Sequence, residues 1–402
     1  MSERNLSPAE QQFFQNPYPA YQLARNTRLI FDEANQFWRV TNFQDVDDIL
    51  KDPRFAKQQP PGTEANRPIQ QVDRFNRGIL NLDPPDHTRL RALMVKAFNA
   101  QGMEAMRPGI RDLVEQLIEK VYEGGRMELK SEFAHTIPAT IISDMLGIPE
   151  DDRSGFANLS NDIIRYGNDL LQGNDDKAEE SVREFDEYLG SLFAIKRQTP
   201  ADDLTTALIN ARDEQGALTE EELHHNIRLL FIAGHETTVN LICNAVIAIA
   251  RHDAQRQCLI QDPSLMPRAV EEFLRYDSSV QQLPRVAQQD VELDGQTIRA
   301  GQMVVLMLGS ANHDPEIYTE AEQLDVNRSF TRSKSFGGGA HFCLGAQLAR
   351  IETEIALNAL LKHMPDFEVT HLDALEYPPN PFFRGPERLD VTWHPGYKRR
   401  SL

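Results

Sequence analysis

The sequence predicts a mainly α-helical protein with a small β part. Two runs carry most of that expectation. Thr219 to Ile249 repeats apolar residues at helical spacing over many turns, and Ala346 to His363 is a long amphipathic stretch. Strand-like patterns are confined to short segments near the two ends and to one hairpin around Asp294-Gly295.

Bulk properties exclude several classes. With 402 residues the chain can bury a large core, and length alone suggests two or three domains. A net charge of −19 argues against nucleic-acid binding, which needs a basic footprint. Three cysteines, Cys243, Cys258 and Cys343, give no disulfide framework and fit a reducing cytoplasm. The first residues carry no signal-peptide pattern, and no apolar run reaches the length of a membrane span.

In chain order, Pro8 to Arg25 is helical with interruptions at Pro17 and Pro19. Arg28–Phe31 and Phe37–Thr41 form a hairpin, and Asn42 caps a helix over Phe43–Leu50. Ala56 to Leu82 has no period, and a loop that long is usually functional or disordered. Asp86 is expected to cap the next helix, where His87 and Arg91 share a face four residues apart. Helices continue to about Arg197, broken at Gly124-Gly125, Pro138, Pro149 and Gly173-Asn174, with Asn168–Glu180 a polar turn.

Thr219 starts the longest helix. Its apolar middle is followed by Ala233-Gly234-His235-Glu236-Thr237-Thr238. A carboxylate and two hydroxyls inside a buried helix are costly unless they work. The Thr237 hydroxyl can bond the Ala233 carbonyl and open the turn. His235-Glu236 is not a zinc helix, because Val239 stands where a second His is needed. Further on, Glu272 and Arg275 form an i,i+3 pair. Val280-Gln281-Gln282-Leu283-Pro284-Arg285 is extended, and Phe367 to Trp393 contains short strands around Asn380–Gly385.

The most informative stretch is Phe336-Gly337-Gly338-Gly339-Ala340-His341-Phe342-Cys343-Leu344-Gly345. Its three glycines allow a tight loop. The loop delivers Cys343 to a helix start, where unpaired N–H groups and the helix dipole favour thiolate. Gly345 leaves space beside the sulfur for something large and flat.

These ten residues resemble the heme-thiolate loop of the cytochrome P450 family, Phe-x-x-Gly-x-His-x-Cys-x-Gly, and the match is complete. Ala233–Thr238 resembles the family's acid–alcohol stretch, Glu272-x-x-Arg275 its Glu-x-x-Arg pair, and His87-x-x-x-Arg91 its propionate-binding helix. The resemblance implies one triangular, mainly helical domain over residues 1–402, replacing the multi-domain expectation. Heme b would lie between the central helix and the Cys loop, with Cys343 as axial ligand. His341, His87, Arg91 and Arg285 would neutralise propionates, and Phe336 and Gly345 would pack beside the sulfur. Ala233 and Gly234 would form the oxygen groove, with Glu236 the acid and Thr237 the alcohol. Glu272 and Arg275 would brace the core.

The implied activity is insertion of one oxygen atom of O2 into a small to medium organic substrate, hydroxylation first. Candidate lining residues are Phe231, Ile232, Val280, Gln281, Gln282, Leu283, Phe382 and Phe383, with the 56–82 loop and residues 161–171. A polyketide, terpenoid or steroid-like substrate is expected, with a fatty acid behind it. A peroxygenase of this fold typically has Arg-Pro where Glu236-Thr237 stands. A non-catalytic heme binder or gas sensor is the alternative of another class. Three cysteines cannot ligate an iron–sulfur cluster beside a heme, so electrons would come from a separate ferredoxin and its reductase. Arg89, Lys96, Arg328, Arg332, Lys334 and Arg350 would form the docking patch.

Overall fold

The computed structural model describes residues 7–63, 78–98, 100–153, 155, 176–213, 216–329 and 332–396. Two short helices, Pro8–Gln15 and Tyr18–Ala24, flank the break at Pro17. Strands Leu29–Asp32 and Phe37–Val40 pair antiparallel, and Asn42 caps Phe43–Lys51 by accepting the Asp45 N–H at 2.8 Å. The five-stranded sheet runs Leu29–Asp32, Phe37–Val40, Met303–Leu306, Leu283–Ala287, Phe55–Ala56. Val291–Leu293 and Gln296–Ile298 form the expected hairpin. Asp294 (φ 50°) and Gly295 (φ 72°) supply its two left-handed residues.

Asp86 does not cap its helix. It is the first residue of Asp86–Ala97, and Pro85 precedes it without a side-chain cap. The carboxylate that works here is Asp83, which accepts the N–H groups of Lys57 (2.9 Å) and Gln58 (2.7 Å). It thereby ties the strand-side chain to the helix start. Pro138 breaks nothing: it lies in the first turn of Thr136–Leu146, where its missing N–H costs little. Of the polar turn expected at Asn168–Glu180, residues 168–175 lie outside the described residues. The rest begins the helix Asp176–Gln198.

The central helix, Glu220–Arg251, opens on a capping box: Thr219 Oγ1 accepts the Glu222 N–H at 3.1 Å, and Glu222 accepts the Thr219 N–H at 2.8 Å. At 1.5 Å per residue it spans about 48 Å. Contrary to the sequence expectation, one stretch of it is long and apolar enough to cross a membrane. That stretch is 67% buried inside the molecule, as a core helix is. It packs against Thr136–Leu146, Met266–Tyr276 and the helix after Cys343, Ala346–His363.

A fully buried ion pair braces this core. Arg275 donates Nε and Nη2 to Glu272 at 2.8 Å each, and both residues are at most 1% exposed. The same guanidinium donates to the carbonyls of Asn312, Ala321 and Gln323.

Candidate active site

The Cys loop is shaped by its backbone. Gly337 (φ +69°) and Gly339 (φ +63°) occupy left-handed angles, whereas Gly338 is extended, so two of the three glycines supply the turn. A Cβ on Gly339 would fall 2.1 Å from the Leu50 carbonyl oxygen, which excludes any side chain there. The Gly337 N–H donates to Lys334 O (2.7 Å) and the Cys343 N–H to Phe336 O (3.1 Å), closing the loop. The Phe336 ring lies beneath the Arg350 guanidinium, 4.5 Å from its centroid, and edge-on to Phe342.

Cys343 is an exposed residue, and neighbouring protein crowds its sulfur. Burial pushes its thiol up. The N–H groups of Gly345 and Ala346 and the charges of Arg350 and Arg91 pull the other way without prevailing. The helix-end N–H groups of Gly345 and Ala346 thus favour thiolate, as expected from sequence, and burial opposes them. A coordinated metal ion makes the thiolate outright.

Around this loop gathers a basic cluster. The rings of His87 and His341 lie 4.1 Å apart. Arg91 donates to the Phe342 carbonyl at 2.7 Å, which ties the Asp86–Ala97 helix to the Cys loop. Arg285 is 2% exposed; burial lowers its pKa to about 10, and its one side-chain hydrogen bond among the described residues is to Pro284 O (3.0 Å). His341 is lowered to about 2, by burial first and then by Lys57, His87, Arg285 and Arg91. Asp83 is the nearby acid, 4.0 Å from His341, and backbone N–H groups already occupy it. Lys57 and Asp83 are members the sequence reading missed. Lys57 lies in the aperiodic 56–82 loop and Asp83 just beyond it, and neither carries a local pattern that marks it.

The cluster fits a dianionic group. Among the described residues, both His87 ring nitrogens are buried without a hydrogen-bond partner, and no carboxylate forms an ion pair with Arg285. A Cβ on Gly345 would meet nothing within 4 Å. Two carboxylates would supply acceptors that the protein lacks, as heme propionates do.

On the central helix, Ala233 and Gly234 are accessible although neighbouring His235 is fully buried. The Thr237 hydroxyl donates to Ala233 O at 2.9 Å, as expected from sequence, and the helix runs through unbroken. Glu236 accepts from Asn240 Nδ2 at 3.2 Å and faces Lys130 Nζ at 3.9 Å. His235 packs edge-on against His135, ring centroids 4.1 Å apart.

Burial lowers His235 to about 3, with His135 adding to the depression. The unfolded chain therefore binds a proton below about pH 6.5 that the folded protein refuses. Stability is complete above that pH and falls as pH drops towards 3. The loss is roughly 2 kcal/mol at pH 5 from this group. Urea titrations at pH 7 and 5 should show that slope, and His235→Leu should make it shallower, with His341 and His87, also lowered by burial, supplying the remainder.

Other candidates fall elsewhere. Gln281 is 2% exposed and turned into a structural network. It accepts from Tyr21 (3.0 Å), donates to Ser278 O (2.7 Å), and fits only because Gly309 has no side chain. Phe231 is fully buried against Phe185 and His235. Both leave the candidate substrate lining because their contacts are already taken. Ile232, Gln282, Leu283 and Phe382 are half-buried, and Val280 bridges to the exposed Phe383. Residues 161–171 and most of the 56–82 loop lie outside the described residues.

The docking patch is largely neutralised. Arg328 turns inward onto Glu272 (3.1 Å), Lys334 is buried on Asp47, Arg89 meets Glu222, and Arg350 meets Glu271. On so acidic a chain each of these cations finds a carboxylate. Arg332 is exposed, and the Lys96 side chain lies outside the described residues.

A glycine-shaped cysteine loop, a basic cluster fitting two carboxylates, and a core helix carrying an acid and an alcohol define a heme-thiolate protein. The family model described as Cytochrome P450 matches residues 29–393, and the chain belongs to that family. It is 38% identical over 393 residues to the vitamin D(3) 25-hydroxylase of Pseudonocardia autotrophica, covering 95% of each. It is 36% identical to the cytochrome P450 monooxygenase PikC of Streptomyces venezuelae, covering 98% of this chain and 94% of that one. Among solved structures, P450BioI in complex with a hexadec-9Z-enoic acid ligated acyl carrier protein superposes with a TM-score of 0.87. The identity is 35%, over 96% of this chain and all of that one. The protein is a cytochrome P450 monooxygenase whose cofactor is heme b with a cysteine thiolate axial ligand.

Proposed function

We propose that residues 1–402 form one cytoplasmic domain in which Cys343 ligates the iron. His87, His341, Arg91 and Arg285, joined by Lys57, would hold the propionates. The observation that carries this is the basic cluster beside the Cys loop, where the buried His87 ring nitrogens have no hydrogen-bond partner among the described residues. Heme b, when bound, supplies the iron chemistry that activates O2. The balance is RH + O2 + 2 electrons + 2 protons giving ROH + H2O, so the chain must bring two protons into the groove. Thr237 points its hydroxyl hydrogen at Ala233 O, leaving Oγ1 as an acceptor for a groove water. Glu236, the adjacent residue, exchanges that water's protons with solvent. Phe336 shields the sulfur side.

Electrons come from a separate ferredoxin served by a reductase. The substrate is a polyketide or steroid-like molecule, lying against Ile232, Val280, Gln282, Leu283, Phe382 and Phe383. Relatives whose names state a vitamin D(3) hydroxylase and a polyketide biosynthesis P450 support this class.

The test is turnover of a macrolide and a sterol with ferredoxin, reductase and 18O2. One labelled atom per product is expected. Product formed as fast from hydrogen peroxide alone would make the protein a peroxygenase. Glu236→Gln should lower product formation by about 10²-fold, the usual scale for a lost general acid.

A further inference from the structure

Glu236 is gripped by one oxygen. Its Oε1 accepts from Asn240 Nδ2 at 3.2 Å, one turn further along the central helix, and faces Lys130 Nζ at 3.9 Å. Lys130 comes from a different element, the wide helical turn Lys130–Ala134. Its ammonium also donates to the Pro386 carbonyl at 2.9 Å, which fixes the charge in place. Asn240 is 3% exposed, and a Cβ on Gly385 would fall 2.0 Å from its Oδ1, so the amide fits only because residue 385 is glycine. Two successive residues of the C-terminal loop, Gly385 and Pro386, therefore set both holders. Among the described residues no hydrogen bond reaches Glu236 Oε2, and the side chain is 25% exposed.

We propose that Lys130 and Asn240 are positioning residues: they anchor Glu236 by Oε1 and leave Oε2 to carry protons between solvent and the groove. The inference rests on Glu236 being the acid of the reaction. In each cycle Oε2 takes a proton from a solvent hydronium, leaving water. It then gives that proton to the groove water beside Thr237, which passes one of its own protons on into the groove, and is a carboxylate again; two such rounds supply the two protons of the cycle. No electrons pass through the pair; the redox partner supplies them. Losing the Lys130 charge lets the carboxylate swing, so proton delivery slows while substrate binding is untouched.

Heme-loaded Lys130→Met, Lys130→Arg, Glu236→Gln and the Lys130→Met/Glu236→Gln double variant test this. For each, product per electron pair, the solvent deuterium isotope effect on turnover and the spectral dissociation constant for substrate are measured. Lys130→Met should lose about 10-fold in coupling, the scale seen when a group orienting a functional ligand is removed. Its isotope effect should rise and its substrate dissociation constant should stay within twofold of the parent, a margin of about 0.4 kcal/mol. Lys130→Arg should restore most of the coupling. The double variant should be no worse than Glu236→Gln, because Lys130 acts through that carboxylate. Parent-like coupling and isotope effect in Lys130→Met, or losses that multiply in the double variant, would overturn the proposal while leaving Glu236 in its role. Parent-like coupling in Glu236→Gln would instead remove the acid assignment on which it rests. Should Lys130→Met fail to bind heme, Asn240→Ala is put through the same comparison. A raised isotope effect supports the anchor, and a parent-like one overturns it.

Discussion

Cys343→Ser is expected to abolish monooxygenation while leaving the fold in place. The loop does not depend on sulfur for its shape. Its bonds run through the Cys343 and Gly337 N–H groups, and its turns through Gly337 and Gly339. Serine keeps those N–H groups and differs by one atom, so the change in stability should stay within about 1 kcal/mol. The chemistry does depend on sulfur. A thiolate pushes electron density through iron towards O–O cleavage, and a neutral hydroxyl cannot. Reduced protein with carbon monoxide should show the strongly red-shifted Soret band of thiolate ligation in the parent and not in the variant. A variant that kept the band would place the ligand elsewhere. Neither other cysteine is suited: Cys243 is sealed in the hydrophobic core, where burial pushes its thiol far up, and Cys258 sits on the helix Asp253–Gln261.

What could be read from sequence was what the backbone demands locally. The Cys loop was legible because Gly337 and Gly339 need left-handed angles and Gly339 lies against Leu50 O. Thr219 announced the start of the central helix, whose Glu222 N–H its side chain accepts. The Thr237–Ala233 bond was legible because it spans one helical turn.

What failed involved partners far apart in the chain. Lys130 reaches Pro386, Lys57 reaches Pro284, and Gln281 reaches Tyr21, none of which leaves a local pattern. Cations are the hardest case. Arg328 and Lys334 look like docking charges beside the Cys loop, yet Glu272 and Asp47 fold onto them from distant segments. Charge counting along a chain cannot tell a free cation from a neutralised one. At Cys343 the helix end that lowers the thiol pKa was visible in sequence, and the burial opposing it was not.

Arg275→Ala should be the most destabilising single change in the protein, costing about 3–5 kcal/mol. All five guanidinium N–H donors are engaged. Nε and one Nη2 hydrogen go to Glu272, the other Nη2 hydrogen to Gln323 O, and the two Nη1 hydrogens to Asn312 O and Ala321 O. Truncation strands three carbonyls and leaves a carboxylate that is 1% exposed with Arg328 as its remaining cation. Arg275→Lys should be almost as costly, since an ammonium offers three donors and no planar fork. The damage should also reach the heme side. The Asn312 carbonyl that Arg275 holds belongs to a residue whose side chain accepts the Lys334 N–H (2.6 Å) and donates to Ser335 Oγ (2.9 Å), at the entrance to the Cys loop. Urea unfolding followed by tryptophan fluorescence should show a lowered midpoint with an unchanged slope. The red-shifted carbon monoxide band should fade at urea concentrations where Cys343→Ser is still folded. A loss below about 1 kcal/mol would mean that Arg328 alone neutralises Glu272, and that the brace is redundant rather than the link between core and thiolate.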